Sequence, residues 1–176
     1  MSNPHNHGAY GVLTEPATVR IQRLLPGPIE RVWSYLTESD LRRQWLASGP
    51  MDLRVGGAME LTWRNDELTR HAEQRPDGMP AEHSMTSEIT HVEAPVLLAF
   101  NWGGGNVTFE LERMGAEVML TVTHRRVSDR KNLLSVSAGW HVHLDLLADR
   151  LAEREPRPFW SDWTRLRAEY AERIPE

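Results

Sequence analysis

"GWHVHLDLLADRL", residues Gly139 to Leu151, decides how the rest of the chain is read. As a strand it would place His141, His143 and Asp145 on one face, because strand side chains alternate with period two. That would be the beginning of a metal site. As a helix it turns the two histidines about 200° apart. The apolar residues choose between them. Leu133, Val136, Ser137, Trp140, Leu144, Leu147, Ala148 and Leu151 recur at intervals of three and four. They form one stripe of a long helix, from about Asp129 to Glu155. In that helix His141 meets Asp145 at i, i+4 and faces outward, as a surface pair. His143 flanks the buried stripe, one turn from Trp140 and Leu147. Zinc needs three or four converging ligands, and this helix offers two, so no metal is expected.

Upstream, the periodicity changes. Val19, Ile21 and Arg23 alternate with polar neighbours in a strand over 17–25. A first helix follows, with Pro28 in its opening turn and Ile29, Val32, Trp33 and Leu36 at helical spacing. A second short helix, capped by Thr37 or Ser39, carries Leu41, Trp45 and Leu46. Met59, Leu61 and Trp63 then alternate in a strand after the Gly56–Gly57 turn. Residues 64–83 are polar and contain "RPDGMP"; a loop of this length suits a lid. Strands over 84–95 and 96–105 follow, with Leu98, Phe100 and Trp102 on one face of the second. The glycines at 103–105 make a turn. Val107, Phe109 and Leu111 and then Val118, Leu120, Val122 and His124 form a hairpin around Gly115.

A strand, two short helices, six to seven antiparallel strands and one long helix make an α+β domain. A curved antiparallel sheet wrapped around that helix buries both apolar surfaces. Residues 1–11 read as a disordered tail, in which His5 and His7 are no metal clasp. Residues 12–176 read as one domain, with 155–176 a helical appendage.

Composition excludes several functions. Net charge is -5, which argues against nucleic-acid binding as a main role. No apolar run approaches a membrane span, and the N-terminus lacks an apolar signal segment. With no cysteine, thiol catalysis and cysteine-metal sites are absent, and a cytoplasmic location fits. No serine lies in a GxSxG setting, and "GGG" at 103–105 lacks the lysine and helix of a phosphate loop. Seven tryptophans outnumber three phenylalanines and three tyrosines. Large apolar side chains in that proportion fill cores and also line ligand pockets.

"PIERVWSYLTESDLRRQWL", "DLRVGGAMEL", "VLLAFNW", "LTVTH" and "GWHVHLDLL", in this order from about Thr18 to Leu151, resemble the START-like SRPBCC superfamily. Within it they are similar to the family of the heat-shock-protein-90 ATPase activator C-terminal domain, in its stand-alone bacterial form. The resemblance implies the helix-grip fold, with a ligand cavity between sheet and long helix. Trp45, Met59, Leu61, Trp63, Met85, Phe100, Trp102, Val122, Val136 and Trp140 are its candidate lining residues. His124 and His143 are candidate polar contacts. The expected activity is binding of a small apolar or amphipathic molecule without a cofactor. The alternatives are a cofactor-free lyase, cyclase or hydrolase using a cavity histidine, and a co-chaperone-like interaction. Phe159, Trp160 and Trp163 either dock on the body or form a homodimer contact.

Overall fold

The structure is a computed structural model that describes residues 9–71 and 73–176. Seven strands form one antiparallel sheet in the order β1-β2-β7-β6-β5-β4-β3. They are β1 (Val12–Glu15), β2 (Thr18–Pro26), β3 (Ala58–Trp63), β4 (His83–Glu93), β5 (Leu97–Trp102), β6 (Gly105–Met114) and β7 (Glu117–Arg125). Four helices accompany them: α1 (Ile29–Thr37), α2 (Ser39–Arg42), α3 (Arg130–Leu151) and α4 (Phe159–Arg173). Among the described residues, no helix is long and apolar enough to cross a membrane.

The strands form where one face can be buried. Val19, Ile21 and Leu25 of β2 share the inward face with Val118, Leu120 and Val122 of β7 and with Val107, Phe109 and Leu111 of β6. The long helix α3 begins where Asp129 accepts the amide of Asn132 at 2.8 Å, as an N-cap. Trp140, Leu144, Leu147 and Leu151 are all buried. The sheet curves around this helix, as the sequence implies. Only β1 has no expected counterpart. Its four residues, VLTE, are all exposed, so no alternation marks it.

Helix α3 is buried on more than one side. Besides its apolar stripe, it hides His141, Val142, Leu146 and Asp149. Helix α4 lies against it, with Phe159, Trp160, Leu166 and Tyr170 at most 3% exposed. The C-terminal segment therefore covers the long helix. This changes the place of His141. The expected surface pair with Asp145 is a buried one: His141 is 6% exposed. Its Nε2 lies 3.5 Å from Asp145, and its Nδ1 lies 2.9 Å from the Tyr170 hydroxyl. A helical wheel of α3 does not show α4.

Asp145 also receives Arg23 of β2 at 3.1 Å. Arg23 was placed by alternation on the face of Val19 and Ile21, and this carboxylate is what that inward charge meets. Residues 1–8, with His5 and His7, lie outside the described residues. Residues 9–11 are inside them and packed. The Tyr10 hydroxyl donates to Glu169 at 2.7 Å, and the Gly11 amide donates to Tyr170 at 2.7 Å. The expectation of a disordered tail over 1–11 does not hold for residues 9–11.

The segment between α1 and β3 is held by a buried arginine. Arg42, 1% exposed, donates to the carbonyls of Leu36, Thr37, Ala47 and Gly49 at 2.5–3.3 Å. Neither Thr37 nor Ser39, the caps expected from the sequence, caps α2: the Thr37 hydroxyl donates to the Trp33 carbonyl at 2.9 Å, the Ser39 hydroxyl accepts the Gly49 amide at 2.9 Å, and Glu38 precedes the helix without a side-chain cap. Gly49 has φ +131°, and a Cβ there would stand 2.2 Å from the carbonyl oxygen of Glu60. Only glycine fits.

Candidate functional site

A cavity of about 360 Å³ opens at one end of the sheet. The sheet contributes Trp63 and Trp102, the last residues of β3 and β5, and His83, the first of β4. Helix α3 contributes Ser135, Val136, Gly139, Trp140 and His143. Helix α4 adds Phe159, Trp160 and Trp163, and the connecting segments add Leu46, Asn65, Met79 and Pro80. Five of the seven tryptophans line this one space. Their rings pack with each other at 5.3 Å (Trp63–Trp102), 5.8 Å (Trp102–Trp140) and 5.9 Å (Trp160–Trp163). Among the described residues, no Asp, Glu, Lys or Arg side chain stands in the wall.

Of the residues expected to line the cavity, Trp63, Trp102, Val136, Trp140 and His143 come together on its wall. The others lie elsewhere. Met59, Leu61, Phe100 and Val122 are packed into the filled core. Inward-facing strand residues meet side chains along most of the sheet, and the gap is left only at its end. Met85 is half-buried on β4 and off the wall. Trp45 is fully buried, with its indole N–H donating to the Tyr35 carbonyl at 2.8 Å. His124 is not on the wall either. Its Nδ1 accepts the Trp140 indole N–H at 3.1 Å, and its ring packs on Trp102 at 5.0 Å. The structure does not bring His124 and His143 together as an acid–base pair.

The α4 aromatics and Asn65, Met79 and Pro80 of the 64–83 segment are not among the lining residues expected from the sequence. The tryptophans of "PRPFWSDW" were visible as an apolar cluster with no assigned partner. The 64–83 segment forms one 3₁₀ turn, Asn65–Glu67, and is tied to the start of α4. Glu73 accepts the backbone amides of Trp160 at 3.0 Å and Ser161 at 2.9 Å, and the Ser161 hydroxyl at 2.6 Å. Asp66 accepts the Trp160 indole N–H at 2.7 Å and pairs with Arg75. His71 Nε2 lies 3.1 Å from the Pro156 carbonyl oxygen.

The chemistry of the wall turns on His143, 6% exposed. Its Nδ1 lies 2.8 Å from the carbonyl oxygen of Trp45. A carbonyl oxygen only accepts, so Nδ1 carries the proton and donates. Burial pushes this imidazole down to about 4, against a smaller opposing effect of the Trp45 carbonyl. It is therefore neutral at pH 7, and its Nε2 is a bare acceptor. Burial likewise holds His124 at about 4. The Asn65 side-chain oxygen is buried with no hydrogen-bond partner among the described residues. No group of three or more His, Asp or Glu among the described residues is arranged to hold a metal ion.

Comparison with known proteins agrees with this architecture. Residues 26–152 match the family model for activator of Hsp90 ATPase homolog 1-like protein. Among curated proteins none matches. The chain is similar to a Bordetella parapertussis protein of solved structure, with 37% identity over 95% of this chain and 91% of that one, and a TM-score of 0.79. It shares its fold with CalU16 from Micromonospora echinospora: 22% identity, 89% and 87% coverage, TM-score 0.65. The Aha1 dimer from Colwellia psychrerythraea also has this fold: 16% identity, 76% and 95% coverage, TM-score 0.56. A match over most of the chain, with a helix-grip fold around a long C-terminal helix, places this chain in the Hsp90 ATPase activator homolog 1-like family.

Proposed function

We propose that this protein binds a small apolar or amphipathic molecule in the tryptophan-walled cavity, without a cofactor. One observation carries the reading: an uncharged space of about 360 Å³ among five indole rings, with one buried neutral histidine. That volume is within the range of about 300–1,000 Å³ typical of small-molecule sites. Apolar burial supplies the affinity, at roughly 25 cal/mol per Å² removed from water.

Catalysis is the weaker reading. An imidazole held near 4 is a poor base at neutral pH, and the other titratable side chain of the wall, His83, stands at its exposed rim. A co-chaperone role rests on the family description alone.

Native mass spectrometry of freshly purified protein tests the proposal and reports stoichiometry in the same spectrum. The expected result is a co-purified small molecule that is lost when Trp140 and Trp102 are both replaced by smaller residues. A wild-type protein that carries nothing and binds no member of a panel of apolar molecules would refute it.

A further inference from the structure

We propose that the cavity selects neutral, ring-built molecules bearing a hydrogen-bond-donating hydroxyl, and that His143 makes the selection by presenting an unprotonated Nε2. This rests on the cavity being a ligand site and names the class of ligand it takes.

The tautomer is set from outside the cavity. The segment that Arg42 staples places the Trp45 carbonyl on His143 Nδ1 at 2.8 Å. With its proton committed there, the neutral ring has only an acceptor left. No protein group bonds Nε2 among the described residues. A ligand hydroxyl or N–H satisfies it. An ether or carbonyl oxygen at that point sets two acceptors against each other.

Charge argues in the same direction. Asn65, Ser135 and the indole N–H groups are the other polar groups of the wall, and all are uncharged. His83 stands at the exposed rim, stacked on Trp63 at 5.6 Å. A carboxylate drawn inside would lose its water without gaining a cation, which is far costlier than burying a hydroxyl. Fatty acids are therefore poor ligands. The tryptophan walls favour rings, because offset and edge-to-face contacts with indoles add to plain area burial.

Four probes that differ in one group separate the ideas: naphthalene, 1-naphthol, 1-methoxynaphthalene and 1-naphthoate. Their affinities are measured by NMR titration of histidine-¹⁵N-labelled protein at pH 7.5. The expected order places 1-naphthol roughly fivefold to tenfold tighter than its methyl ether, the range of one buried neutral hydrogen bond. The naphthoate is expected to be weaker than the naphthol by more than about a hundredfold. His143→Phe is expected to erase the difference between naphthol and ether while naphthalene still binds.

That variant also removes the bond to Trp45, so a measurement on the wild type stands beside it. The His143 Nε2 resonance should report an unprotonated nitrogen in free protein and shift when naphthol, but not the ether, is added. An Nε2–H tautomer, or a nitrogen that naphthol leaves unmoved, would overturn the selection. So would equal affinities for naphthol, ether and naphthoate. If naphthalene and all its derivatives fail to bind, it is the cavity reading that fails.

Discussion

The carboxylate of Glu73 sits on the N-terminus of α4, where Oε1 accepts both the amide and the hydroxyl of Ser161. Its other oxygen takes the Trp160 amide. An anion at a helix N-terminus is favoured by the unpaired amides and by the helix dipole. Here the anion comes from the 64–83 segment, so two walls of the cavity are clasped by one side chain.

Glu73→Ala should release that clasp. We expect a loss of about 0.5–2 kcal/mol, the range for a helix cap. We also expect faster amide hydrogen exchange at Trp160 and Ser161 and faster exchange of bound ligand. The clasp is acid-labile. Burial alone would raise the Glu73 carboxyl, but the Ser161 and Trp160 hydrogen bonds hold it below its usual range. The stabilisation is therefore present above the normal carboxylate pKa and lost as pH falls through the depressed one. Unchanged exchange at Trp160 and Ser161 in the variant would show that these contacts close nothing.

Three buried histidines make the fold sensitive to mild acid. Burial pushes His124 and His143 down to about 4, and burial with nearby arginines, Arg23 first, pushes His141 to about 3. Unfolded histidines titrate near about 6.5. Between these values the unfolded chain takes up protons that the folded one refuses, so stability falls as pH falls. It is complete above about 6.5, and each histidine removes up to about 1.4 kcal/mol per pH unit below that. Asp145 is pushed upward by burial, and its uptake of a proton in the folded state opposes that loss. Urea midpoints should therefore drop steeply between pH 7 and pH 5. His124→Phe or His141→Phe should flatten that slope by about one third, one histidine of the three. A flat profile in the wild type would mean that these rings are protonated in the folded state.

The fold was legible because its signals are local. Alternation marks β2, β3, β5, β6 and β7, and the three-and-four spacing marks α3. The site was half legible for a physical reason. Periodicity says which face a residue occupies, and it says nothing about where along that face the packing runs out. Trp63 and Phe100 both face inward, yet only Trp63 borders the gap. Pairings between distant segments were invisible too. Nothing near His141 in sequence foretells Tyr170, and nothing in "NDELTRHAEQ" announces that Glu73 caps α4.

The Tyr170 hydroxyl joins three parts of the chain. It accepts the Gly11 amide and meets Nδ1 of His141, whose Nε2 faces Asp145. His141 is neutral, so the 3.5 Å contact with Asp145 is no ion pair, and Asp145 takes its countercharge from Arg23 at 3.1 Å and Arg157 at 3.9 Å. Tyr170→Phe keeps the ring and strands a half-buried amide and a buried ring nitrogen. The expected cost is about 1–3 kcal/mol, with earlier proteolysis near Tyr10. Wild-type stability together with wild-type protease resistance would show that residues 9–11 are held by Tyr10 alone.

Arg42 has the longest reach. Burial lowers it only to about 10, so it keeps its charge at neutral pH with four backbone carbonyls and no carboxylate. Those carbonyls lie on both sides of Trp45, whose own carbonyl sets the tautomer of His143. A lysine keeps the charge, but one ammonium cannot span carbonyls that a planar fork reaches from three nitrogens. Arg42→Lys should therefore lose at least about 2 kcal/mol, because carbonyls left unpaired in the interior each cost about 1–3 kcal/mol. In the fraction that still folds, the His143 ring nitrogens should shift although their own residue is unchanged. A folded Arg42→Lys protein with wild-type stability and an unmoved His143 spectrum would sever the link between this staple and the cavity.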